Sequence, residues 1–208
     1  FLAATIGVGA SSYVVSQFAS AADGEELPKV LILGDSISIG YTPFVQQELA
    51  GKADVSRPKA NCGETRMGLK GIDGWLGNGR WDVIHFNWGL WDLCYGNPEW
   101  KTQGHRDKEN GTLSVPIEEY EANLEKLVER MKQTGARLIW APTTVVPEGE
   151  AGRIVGDEVR YNAAALRVMK KHGVAIDDLY ALTKTFGPEL FTAPGNVHYT
   201  PEGSAKLG

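Results

Sequence analysis

Apolar positions along this chain alternate between two patterns. Short continuous apolar runs at 29–33, 53–56, 81–87, 137–141 and 174–176 read as buried strands. Between them lie stretches with helical spacing. At 41–52, Phe44, Val45 and Leu49 share one face. At 65–76 the period holds, although Gly68, Gly71 and Gly74 weaken it. The clearest helix is 116–134, where Tyr120, Leu124, Leu127, Val128 and Met131 recur at helical spacing. Pro116 suits its first turn and Gly135 its stop. A further helix at 157–172 is stopped by Gly173, and a short one follows at 177–183. The segment 96–114 reads as a long polar loop of the kind that shapes sites. Strands alternating with helices predict an α/β fold: a three-layer α/β/α sandwich around a central parallel sheet, with right-handed crossovers. A chain of 208 residues suits one such domain, placed at 23–208.

The first 22 residues break this pattern. They carry no charge, Asp23 being the first, and end in Ala19-Ser20-Ala21-Ala22. An apolar stretch closed by small residues fits a secretory signal peptide, and therefore an exported protein, periplasmic or secreted. An uncleaved N-terminal anchor and a buried core helix are the other readings. With neither an initiator Met nor a basic n-region, the sequence reads as starting inside a longer frame. The end reads similarly: 201–208 opens like a helix and stops within about two turns. The formal net charge of −5 argues against nucleic acid as partner, and no Lys/Arg run suggests a membrane surface. No His/Cys/Asp cluster shows metal-ligand spacing, and no Gly-rich phosphate loop is present, so neither a metal nor another cofactor is expected.

In a parallel α/β sheet the loops after the strands share one edge, where ligands bind. Gly34-Asp35-Ser36 follows the first strand and offers a hydroxyl at that edge. Its competing role is to turn the chain and cap a helix. Cys62-Gly63 follows the second strand, and Asn87-Trp88-Gly89-Leu90-Trp91-Asp92 the third. Gly195-Asn196-Val197-His198 comes near the end. A serine nucleophile needs a base and donors for the oxyanion. Of the four histidines, His85 lies within a strand, His105 in the polar loop, and His172 at a helix end that suits a cation. Only His198 sits in a loop without a local role of that kind.

These blocks, in this order, resemble the SGNH (GDSL) hydrolase family from about residue 29 onward. Gly34-Asp35-Ser36 matches the first block, Gly63 the second, Gly89-Leu90-Trp91-Asp92 the Gly-x-Asn-Asp block, and Val197-His198 the end of Asp-x-x-His. The resemblance implies a flavodoxin-like SGNH fold and ester hydrolysis through an acyl-serine. Ser36 would be the nucleophile, His198 the base, and the N–H groups of Ser36 and Gly63 oxyanion donors. Two positions depart from the family. Trp91 stands where its oxyanion Asn would be, so either the Trp91 indole or the Asn87 amide is the third donor. Gly195 stands where its Asp would be, which leaves Asn196, a backbone carbonyl, a carboxylate from elsewhere, or a bare Ser–His dyad to support the imidazole. Cys62 and Cys94 flank the two oxyanion loops, and a disulfide between them would stiffen the hole.

The expected activity is hydrolysis of small acyl esters, acetyl above all. Trp75, Trp81, Trp88 and Trp91 offer faces for sugar rings and favour a carbohydrate ester as substrate. A catalytically impaired carbohydrate-binding module, and a lysophospholipase or thioesterase acting on lipid esters, are the alternatives.

Overall fold

The computed structural model describes residues 26–208, so the leader read at 1–22 lies outside the described residues. Seven strands and six helices follow in order. They are β1 (Lys29–Leu33), α1 (Ser36–Glu48), β2 (Asp54–Ser56), α2 (Thr65–Leu76), β3 (Val83–Phe86), β4 (Tyr95–Gly96), β5 (Thr112–Leu113), α3 (Ile117–Lys132), β6 (Arg137–Trp140), α4 (Asp157–His172), β7 (Ala175–Ile176), α5 (Leu179–Thr183) and α6 (Pro201–Leu207). Five strands form a parallel sheet in the order β2-β1-β3-β6-β7.

The apolar runs explain the sheet. Leu33, Ile84 and Phe86 are fully buried, as strands covered on both faces require. Right-handed crossovers put α1 on one face and α2, α3 and α4 on the other. Consistent with this, α1 packs on α6, and α3 packs on both α2 and α4. The helical spacing read for α3 is the buried face: Tyr120, Leu124, Leu127, Val128 and Met131 all lie in the core. Among the described residues no helix is long and apolar enough to cross a membrane.

Two elements differ from the sequence reading. The first helix begins at Ser36, not Tyr41, because Asp35 caps it: Asp35 Oδ1 accepts from the Ile37 N–H at 2.9 Å. Burial of Ile37, Ser38, Tyr41 and Thr42 then fixes its first turns. The polar loop also has internal structure, the β4/β5 hairpin, with Asp107 accepting from the Asn97 amide at 2.9 Å.

The strand order has one reversal, between β1 and β3. Leu33 pairs with Phe86, and Phe86 with Trp140, so the three strands end level. The loops after them therefore meet at the switch point, where open α/β sheets bind ligands.

Candidate active site

Ser36 is the first residue of α1. Its own N–H has no intrahelical partner there and lies at the positive end of the helix dipole. Its Oγ lies 2.8 Å from His198 Nε2. The histidine is held from behind: His198 Nδ1 lies 2.8 Å from Asn196 Oδ1, and that same oxygen accepts the backbone N–H of His198 at 3.0 Å. A backbone N–H can only donate, so the atom facing it is the amide oxygen, not the nitrogen. The oxygen in turn requires the proton on Nδ1, which leaves the Nε2 lone pair facing the serine hydroxyl.

Gly195 explains why the orienting group comes from residue 196. Its φ is +68°, and a Cβ there would lie 2.6 Å from the Gly149 carbonyl oxygen. A side chain at 195 cannot enter this space, whereas the amide of its neighbour curls back onto the imidazole.

Behind Gly149 lies a buried charge cluster absent from the sequence reading. Glu150 is fully buried and binds Arg106 Nη1, Arg153 Nη1 at 2.9 Å and the Gly152 N–H at 2.7 Å. Arg153 also donates from Nε to the Leu90 carbonyl at 2.6 Å, tying this loop to the one after β3. Burial is the main cause holding the His198 pKa below its ordinary value. Arg153 and Arg106 push it the same way, and Glu150 opposes them.

The oxyanion candidates divide. The Gly63 N–H, at φ +58°, is taken by Asn61 Oδ1 at 2.9 Å. Asn87 does not point its amide into the site. It is buried, and its Nδ2 donates to the Ala141 carbonyl at 2.7 Å, joining the ends of β3 and β6. Trp91, half-buried on the loop after β3, packs instead with Arg153 5.3 Å from its ring centre and Gly104 of the polar loop against its far edge. Trp88 is buried and donates to the Cys62 carbonyl at 3.2 Å. The other histidines have local partners: His85 pairs with Asp177 at 3.0 Å, His105 with the Trp100 carbonyl at 2.8 Å, and His172 with Glu125 at 2.6 Å. Ligand atoms of Glu125, Glu129 and His172 lie within 4.8 Å of one another, away from Ser36, but Glu125 there already binds Lys171 at 2.6 Å.

The expected Cys62–Cys94 disulfide is not formed. Both are buried free thiols. Their surroundings differ: Cys62 lies in the field of Arg57 and Asp35, and Cys94 in that of Arg153, Glu150 and Arg106. Thiol titration of the unfolded, unreduced protein should therefore find two equivalents, and none would restore the bridge.

Asp92 supports the site from beneath. It is fully buried, and its Oδ1 accepts from both the N–H (2.9 Å) and the hydroxyl (2.6 Å) of Thr65, fixing the start of α2 just after Gly63. Its Oδ2 is buried without a partner. Burial pushes its pKa up to about 7, against the Thr65 hydrogen bonds. The folded state thus holds a proton that the unfolded chain releases near pH 4, so this group's contribution to stability is full below that pH. It is lost as pH rises towards 7, at about 1.4 kcal/mol per pH unit. Asp92→Asn keeps the acceptor for Thr65 and removes the titration. Its melting temperature should gain on the parent between pH 5 and pH 7; parallel pH profiles would reject this assignment.

With the geometry in place, the comparisons define the class. The GDSL-like lipase/acylhydrolase family model matches residues 32–206. The chain belongs to that family and is an ester hydrolase. Its fold is similar to an acetyl xylan esterase at 15% identity and TM-score 0.67, covering 85% of this chain and 94% of that one. It is also similar to the lipase/acylhydrolase from Enterococcus faecalis at 16% and 0.69, covering 87% and 93%. A third similar structure is an acetylxylan esterase from Geobacillus stearothermophilus, at 17% and 0.64, covering 86% and 90%. No curated protein matches the chain.

Proposed function

We propose that this ester hydrolase is an exported serine esterase that removes small acyl groups, chiefly acetyl, from carbohydrate through an acyl-serine on Ser36. The observation that carries the mechanism is the Asn196–His198–Ser36 relay, with both contacts at 2.8 Å. Ser36 Oγ attacks the ester carbonyl while His198 Nε2 takes its proton. The oxyanion seats on the Ser36 N–H and displaces Asn61 Oδ1 from the Gly63 N–H. Each such donor contributes about 3 kcal/mol to the transition state. Collapse expels the alcohol, protonated by His198. Water then attacks the acyl-serine with His198 again as base, releasing acid and restoring Ser36.

Trp91, on the loop after β3 and packed between Gly104 and Arg153, is the bulky side chain we assign to limiting the acyl group. The acetyl xylan esterase activity named for two similar folds supports a sugar alcohol. The uncharged 1–22 segment supports export. The test compares p-nitrophenyl acetate, butyrate and octanoate, and follows acetate release from acetylated xylo-oligosaccharides. The acetate ester should have the highest kcat/KM, by at least about tenfold over octanoate, and acetate should be released. Preference for octanoate would assign the site to lipid esters, and no turnover of any ester would mark a binding module.

A further inference from the structure

We propose that a groove along the open edge of the sheet is a second carbohydrate site that holds a uronate residue of the substrate chain. The choice of ligand rests on the carbohydrate-esterase reading. The groove, about 350 Å³, runs beside edge strand β2 and is lined chiefly by Ser56, Arg57, Lys59, Trp75 and Trp81.

Its two indoles are fixed platforms. The Trp75 ring lies against Gly71, where a Cβ would come within 2.3 Å of it. Trp81 is held by its Nε1–H on the Leu76 carbonyl at 2.9 Å. Both are half-buried, and Gly74 between them adds no side chain to fill the space. Flat aromatic faces of this kind suit the C–H faces of a pyranose.

The cations select the charge. The protein's net charge is −5, yet neither Arg57 nor Lys59 has a carboxylate within 4 Å among the described residues. Arg57 Nη2 donates only to the Ala60 carbonyl at 3.3 Å, and the guanidinium charge is felt by the buried Asp35 at the start of α1. A guanidinium at a groove without an ion-pair partner takes a carboxylate as its strongest acceptor. Cation and indole together match a sugar ring bearing a carboxylate.

A single loop links the groove to the active site. The loop from Arg57 to Gly63 spans at most about 22 Å, and within it the Cys62 N–H bonds the Gly34 carbonyl at 3.1 Å, next to the nucleophile's turn. Arg57 thus lies within about 22 Å of Gly63, a span that a short oligosaccharide covers.

The test titrates the wild-type protein with tetragalacturonate, xylotetraose and AMP, by calorimetry and tryptophan fluorescence at low salt. Tetragalacturonate should bind about tenfold or more tighter than xylotetraose and AMP, and weaken with added salt. The Arg57→Gln/Lys59→Gln variant should lose that affinity about tenfold. The exposed pair Lys126→Gln/Lys170→Gln, on α3 and α4 outside the groove, should keep it, and circular dichroism checks that both fold. Absence of uronate binding, equal affinity for the neutral sugar, tighter binding of AMP, or an equal loss in the control pair would each overturn the proposal. Turnover of p-nitrophenyl acetate, measured in parallel, reports on the esterase reading separately from these affinities.

Discussion

Ser36→Ala and His198→Ala should each lower kcat on p-nitrophenyl acetate by about 10⁴- to 10⁶-fold, and the double variant should be no slower than either alone. The non-additivity follows from the proposed mechanism. One hydrogen bond, Ser36 Oγ to His198 Nε2 at 2.8 Å, carries both the attack and the proton, so losing either end loses the step. What remains is stabilisation by the backbone donors, which neither substitution touches. The thermal stability of Ser36→Ala should barely change: the Ser36 side chain binds only His198, and the cap of α1 comes from Asp35. The wild-type pH profile adds a second readout. The base must be neutral, and burial reinforced by Arg153 and Arg106 lowers its pKa. The acid limb of kcat/KM should therefore lie below pH 6.5, the ordinary imidazole value. Equal rates for wild type and Ser36→Ala would remove Ser36 as nucleophile.

Much of this architecture was legible in the sequence because it rests on local patterns. The helices at 65–76 and 157–172 have the bounds read from the sequence, the first despite the three glycines that weaken its period, the second with Gly173 as its stop. The start of α1 was hidden. Gly40 and Pro43 depress its helical signal, and what fixes the first turn is a cap together with burial of Ile37 and Tyr41 against the sheet. Side-chain direction was the weaker inference. Asn87 has the chemistry of an oxyanion donor, but at the end of a central strand its amide is drawn to the Ala141 carbonyl. The two cysteines flank loops that converge in the fold, and adjacency of loops did not bring the thiols together. The Arg106–Glu150–Arg153 cluster had no signature, since Arg106 lies 44 residues from Glu150 and only the tertiary fold joins them.

Asn196 and Gly195 make the sharpest distinction between motif and geometry. The family pattern would place an Asp at 195, so motif logic predicts that Gly195→Asp restores a triad. The structure predicts the reverse. At φ +68°, with the Gly149 carbonyl oxygen 2.6 Å from any Cβ, the new side chain must push two backbone segments apart. Overpacking of this kind costs about 1–3 kcal/mol, and the loop that moves carries His198. A shift of about 1 Å at a catalytic group can cost about 100-fold in rate. Gly195→Asp should therefore melt earlier and lose at least that much activity. Asn196→Asp should do the opposite. Its carboxylate accepts the same two hydrogen bonds, from His198 Nδ1 and the His198 N–H, and brings the negative charge that the imidazolium lacks. The His198 pKa should rise, moving the acid limb of kcat/KM to higher pH, while kcat holds or rises by up to about tenfold. The measurement is a pH–rate profile of wild type and both variants, with melting temperatures alongside. If Gly195→Asp were the faster enzyme, the carboxylate would be entering from residue 195, and the close packing of Gly149 on Gly195 would not be what sets the register of this loop.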